Sequence, residues 1–208
     1  MNKEKVFGAL MELIADGGWN DLTFSELASS QKIQEAELES QFKDKTGILP
    51  AFSEFIDELT LEGLDSDVFD PEIPVRERLL EILLVRFDVL APYKNGVREL
   101  LRVTAQDPKM FVIAAKAIRI SMRSSLETVG ISTQGIKGTI KIKGLAAVFL
   151  FGMRAWCNEE NRDTTVTTRI LDDRLKWAES LALSIGLADE KMNKMNSAME
   201  RQQRKIRK

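Results

Sequence analysis

Apolar residues recur every three to four positions along almost the whole chain, a spacing that predicts helices in series. Val6, Leu10, Leu13 and Ile14 mark the first helix, and the Gly17-Gly18 pair ends it. Trp19 and Leu22 are placed to pack under the next element. The segment TFSE at 23–26 is a capping box: the Thr23 hydroxyl can accept from the Glu26 amide while the Glu26 side chain reaches back. The helix it opens turns Phe24, Leu27 and Ala28 inward, and SSQK at 29–32 breaks it. A third short helix covers about 34–41, with Ala36 and Leu38 apolar. Three helices in this order, the second and third separated by a short turn, make a helix-turn-helix pattern.

A longer helix follows over about 46–64, with Ile48, Leu49, Phe52, Phe55, Ile56 and Leu59 inward. Pro50 falls in its first turns, where proline is tolerated. LDSDVFDPEIP at 64–74 is acidic, carries two prolines and reads as a linker. Its Asp65-x-Asp67 start suggests a calcium loop, but Asp70 stands where such a loop needs glycine and Arg76 where it needs glutamate. A calcium loop is therefore excluded. Beyond Pro74 the expected helices are longer: 74–91, 95–106, 108–129, 136–158, 164–185 and 189–206. Pro92, Asp107-Pro108, Gly130, the NEENRD loop at 158–163 and Gly186 separate them. Neither strand-like alternation nor an internal repeat is present. The expected fold class is all-α: a three-helix head over 1–46, a connecting helix over 47–65, a larger helical domain over 74–186 and a C-terminal helix over 187–208.

Composition narrows the chemistry. A hydrophobic content of 44% over 208 residues supports a packed core. Histidine is absent, which excludes a Ser-His-Asp or Cys-His pair and any His-bearing zinc site. Paired metal ligands and a Gly-rich phosphate loop are also lacking, so neither an enzyme, a metal nor a cofactor is expected. The single cysteine, Cys157, leaves no internal disulfide and fits a reducing compartment. The start, MNKEKVFGALMELIADGG, alternates charge with apolar residues, unlike a signal peptide. The most apolar run, LAAVFLFGM at 145–153, falls short of the ~20 residues a membrane span needs. A cytoplasmic protein is expected. The net charge of −2 is unevenly spread: residues 1–50 carry −4 and residues 189–208 carry +4, so the two ends suit different partners.

The stretch LTFSELASSQKIQEAELESQFKDKTGIL at 22–49 resembles the TetR family of bacterial regulators. Leu27-Ala28, Ile33, Leu38, Phe42, Lys45 and Ile48-Leu49 match that family's pattern. RAWCNEENRDTTVTTRILDDRLKWAESL at 154–181 is similar to a segment of some members and their relatives, in which Trp156 and the Leu171-Asp172-x-Arg174-Leu175 run pack late helices. The resemblance implies a helix-turn-helix head on a larger bundle that binds a ligand and dimerises. Candidate DNA contacts are then Thr23, Lys32, Gln34, Lys43 and Lys45, with Lys3 and Lys5 as an N-terminal arm. Departures from the family fall on the positions that face DNA. Gln31 and Lys32 replace its Ala-Gly turn, Gln34, Glu35 and Glu37 its small or basic residues, and Glu39 a phosphate-contacting tyrosine. Three glutamates oppose a duplex carrying about one negative charge per 1.7 Å of axis. The other reading of Glu35, Glu37 and Glu39 is a solvated helix face that suits the positive helix N-terminus.

The resemblance also implies an apolar effector pocket in the larger domain, for which Phe87, Leu90, Met110, Phe111, Met122, Phe149 and Met153 are candidates. The same stripe equally describes ordinary core. Homodimerisation through the last two long helices is implied as well, with Leu171, Leu175, Ala178, Leu181 and Ala182 as the stripe, which one protomer could also bury by itself. Lys137, Lys141 and Lys143, beside Gly138 and Gly144, read either as a pocket entrance or as a solvated lysine face. The tail DEKMNKMNSAMERQQRKIRK at 189–208 pairs Met192, Met195, Met199 and Ile206 with seven cations. It suits peripheral contact with an anionic membrane or a partner groove, or only complements a helix dipole. Two function classes follow: a ligand-responsive TetR-like regulator, and a protein of the same fold that binds an apolar lipid without DNA. The second is similar to the lipid-binding proteins of ubiquinone biosynthesis.

Overall fold

The computed structural model describes residues 3–42, 44–160 and 164–187. Among them the regular elements are all helical: α1 (Lys3–Gly17), α2 (Phe24–Gln31), α3 (Glu35–Phe42), α4 (Ile48–Glu62), α5 (Val75–Leu90), α6 (Lys94–Thr104), α7 (Pro108–Thr128), α8 (Gly135–Asn158) and α9 (Thr165–Ser184). The helix expected over 189–206 and the candidate Lys43 lie outside the described residues.

Local chemistry fixes the ends of the first helices. Gly18 leaves α1 with φ at 82°, a conformation that costs glycine little. The Thr23 hydroxyl accepts from the Glu26 amide at 3.2 Å and caps α2. After α2 the chain reverses through Lys32, at φ 53° and ψ 41°, and the Ile33 amide returns to the Ala28 carbonyl at 3.1 Å. Lys32 therefore holds the left-handed turn conformation with a side chain attached. Before α4, Asp44 Oδ1 accepts from the Thr46 amide at 2.8 Å, the Thr46 hydroxyl at 2.6 Å and the Gly47 amide at 3.1 Å. A Cβ on Gly47 would stand 2.0 Å from the Phe42 carbonyl oxygen, so only glycine fits there.

Two compact units result. One runs up to Gly63 and includes Val85–Ser121; the other comprises Leu64–Leu84 and the chain from Met122 onward. The boundaries fall inside α5 and α7, so the units do not follow the linear division into head, connecting helix and larger domain.

In the first unit Phe7 is the hub of an aromatic cluster. Its ring lies 4.9 Å from Phe55, 5.4 Å from Phe52 and 5.9 Å from Phe42, and Tyr93 closes on Phe52 at 5.4 Å. Such pairs add to the area they bury. Gly96 lets α6 reach α1: a Cβ there would sit 2.6 Å from the Met11 carbonyl oxygen. A buried polar group ties three helices together. Arg86 of α5 pairs with the Asp57 carboxylate of α4 and donates to the Ser121 hydroxyl of α7 at 3.2 Å. Ser121 in turn donates to Asp57 Oδ2 at 2.8 Å.

In the second unit the stretch expected as a linker is anchored. Val68 is buried within a 3-10 turn (Ser66–Phe69). Buried Arg78 donates to the carbonyls of Ile73 at 3.0 Å and Val68 at 3.4 Å. Acidic residues and prolines masked this from the sequence, because the anchoring donor lies in the following helix. α8 and α9 run antiparallel. Glu159, closing α8, accepts from the Val166 and Thr167 amides at 3.0 and 3.2 Å and from the Thr167 hydroxyl at 2.7 Å. It thereby supplies acceptors and negative charge to the α9 N-terminus. At the other end Lys137 donates to the Gly186 carbonyl at 3.1 Å. No described helix is long and apolar enough to cross a membrane.

Candidate ligand cavity and helix-turn-helix face

An apolar concave site lies within the second unit. α5 contributes Val75, Arg76 and Leu79, and α7 contributes Leu126. Ile140, Lys141, Gly144, Leu145 and Val148 come from α8. Leu175, Trp177, Ala178, Glu179, Leu181 and Ala182 come from α9, with Ile131, Ile185 and Leu187 closing the wall. The cavity volume is about 150 Å³ and its surface is almost wholly apolar. A volume of ~150 Å³ suits a benzene-sized apolar guest. Its rim remains in water: Trp177 is 62% exposed and Ile185 54%.

Charge at this wall is largely compensated. Arg76 pairs with Asp172 of α9 and lies 3.8 Å from Glu179, while Lys176 holds the other Asp172 oxygen at 2.5 Å. A guest therefore meets hydrocarbon more than a free cation. Gly144 gives the cavity part of its room, since a Cβ there meets no atom within 4 Å. Gly138 serves the fold instead: its Cβ would collide with the Thr133 backbone at 2.0 Å. Of the three lysines, Lys137 binds a carbonyl, Lys141 lines the cavity and Lys143 is exposed.

The residues expected to line a pocket are not among those around this cavity. Phe87, Leu90, Met110, Met122, Phe149 and Met153 are buried but do not line this cavity, and Phe111 is 60% exposed. Helical periodicity marks an inward face, but does not separate close-packed core from cavity wall. In the dimer stripe, Leu171 and Leu175 are already buried, whereas Ala178 and Ala182 are half-buried and Leu181 is exposed. The unsatisfied stripe is the neighbouring one, Trp177, Leu181 and Ile185, whose i, i+4, i+8 spacing was present in the sequence.

The helix-turn-helix face has its own geometry. Glu35, Glu37 and Glu39 are exposed, and no lysine or arginine occurs between residues 33 and 42. Lys45 is partly withdrawn from solvent: it donates to the Asn20 carbonyl at 3.0 Å and lies 5.2 Å from the Trp19 ring centre. Burial lowers its pKa, and Asp21 pulls it back up. Thr23 is committed to its cap, while Lys32 and Gln34 are exposed at the turn and the start of α3. Lys3 and Lys5 belong to α1 rather than to an extended arm, and Lys3 pairs with Glu58 at 2.9 Å. Among the described residues, no group of three or more His, Cys, Asp or Glu is placed to hold a metal.

These features define an all-α helix-turn-helix protein with an apolar cavity. Its fold is TetR-like. A TetR transcriptional regulator from Nitrosomonas europaea superposes with a TM-score of 0.68 at 16% identity, over 84% of this chain and 96% of that one. A TetR-family transcriptional regulator from Streptomyces coelicolor gives 0.56 at 14% identity, over 94% and 88%. No family model matches the chain, and no curated protein matches it.

Proposed function

We propose that the chain is a ligand-responsive TetR-like transcriptional regulator, a cytoplasmic homodimeric repressor whose effector is a small apolar molecule. The observation that carries this reading is the apolar cavity on a fold that also presents a capped helix-turn-helix. α5 and α7 each contribute to the cavity wall and continue beyond it, giving an effector continuous helices to displace. DNA contact falls to Lys32 and Gln34, with Lys43 and the helix N-terminus. Two heads would engage half-sites about one turn, ~34 Å, apart. The test is a genomic-fragment selection at low salt, with mass spectrometry of small molecules that co-purify with the chain. Recovery of one sequence, released by the co-purified molecule, is the expected result.

A second reading is supported by Glu35, Glu37 and Glu39, exposed on a helix without a cation. Here the chain keeps the fold and cavity, binds an isoprenoid-like lipid, and has lost DNA binding. A selection that returns no sequence, alongside a co-purified apolar lipid, establishes this reading over the first.

A further inference from the structure

α7 carries a surface that neither reading uses. Phe111, Val112 and Ile120 are exposed by 60, 66 and 57%. Lys109, Lys116 and Arg119 are exposed among them. At ~100° per residue these six spread over about half the helix circumference. Buried Met110, Ala117 and Ser121 occupy the opposite side. The segment PKMFVIAAKAIRI at 108–120 contains no acid and no neutral hydrogen-bonding side chain. Ile120 and Lys116 extend the face into a groove of about 400 Å³, lined also by Phe42, Thr46 and Pro50. Asp44, at the same groove, already accepts three hydrogen bonds from Thr46 and Gly47.

We infer that the exposed half of α7 is a docking surface for an anionic lipid bilayer. Charge complementarity commits it to this occupant: three cations against the one groove carboxylate, Asp44, leave a net positive face that matches anionic headgroups, and the interleaved Phe111, Val112 and Ile120 match the acyl boundary beneath them. A protein partner is disfavoured, because lysine is depleted at protein interfaces and this face offers few directional hydrogen bonds to fix a register. Nucleic acid would leave three large apolar side chains against phosphate. The surface is distinct from the basic tail over 189–208.

The full-length chain is tested by flotation with phosphatidylcholine vesicles, with and without phosphatidylglycerol. Binding to the anionic vesicles is expected at least ~10-fold above the neutral ones, at about fivefold per cation. The K116Q/R119Q variant is expected to lose ~25-fold by the same factor. F111S/V112S/I120S is expected to lose more than ~10-fold, as apolar burial is removed. Because all five positions are exposed, melting temperatures should hold. Failure of the native chain to float overturns the inference. So does equal flotation of both variants with the native chain, which would assign binding to another surface. Capture of an acidic protein through α7, without vesicle binding, overturns it as well.

Discussion

Lys32 carries the sharpest conflict between side chain and backbone. It holds a left-handed conformation at the end of α2, which strains a residue with a Cβ by ~1–2 kcal/mol. Glycine removes the strain but adds freedom to the unfolded chain, costing ~0.5–1 kcal/mol. Lys32→Gly should therefore stabilise the protein by about 0.5–1 kcal/mol, read as a higher urea midpoint with an unchanged slope. Asp44 makes a second residue-scale prediction. The Thr46 hydroxyl bond, followed by the Gly47 and Thr46 amides, holds its pKa below the ordinary 3.8. A lowered folded-state pKa means the turn is stabilised above the ordinary carboxylate value and loses that support as pH falls through the lowered one. The NMR titration midpoint of Asp44 should lie below 3.8 and rise in Thr46→Val; an unmoved midpoint would discard this account. The sequence announced the Thr23 cap by its spacing to Glu26. It did not announce the Lys45 contacts, because Asn20 and Trp19 meet that side chain only after the intervening helices fold back.

Between elements, one buried polar group and one glycine do much of the fastening in the first unit. Removing the half-buried Asp57 takes from buried Arg86 its carboxylate partner, for which ~3–5 kcal/mol is the usual cost in a fully buried pair and the upper bound here. Asp57→Ala should lose up to that much by urea unfolding, and adding Arg86→Met should recover most of it. Helix existence and approximate ends were legible throughout the described residues: expected spans such as 108–129 and 136–158 meet α7 (Pro108–Thr128) and α8 (Gly135–Asn158). Which stripe faced which neighbour was not. α9 has two adjacent apolar stripes, and only its tertiary packing buries Leu171 and Leu175 while leaving Trp177, Leu181 and Ile185 in contact with water. Similarly, periodicity gave α7 an inward face, but Phe111 falls on its solvent side.

At the scale of the whole molecule, the cavity and the proposed dimer give the decisive tests of function. Gly144→Phe should place a ring at the cavity that Gly144 lines, where a Cβ meets no atom within 4 Å. Calorimetric titration with benzene should show binding to the native chain and to Gly144→Ala, with at least ~10-fold weaker binding to Gly144→Phe, as for a loss of ~1.4 kcal/mol. Trp177→Ser with Leu181→Ser should convert the proposed dimer into a folded monomer by light scattering, because both side chains are exposed in one protomer. By itself the sequence determined the helical series, the caps and turns, the helix-turn-helix head and the charge of its third helix. These depend on residues within a few positions of one another, where spacing and backbone preference suffice. Tertiary structure alone decided that the cavity lies among Val75, Ile140, Gly144 and Trp177 rather than among the phenylalanines and methionines of the core. A cavity is the space that helices distant in sequence fail to fill, and no single helix's periodicity records it.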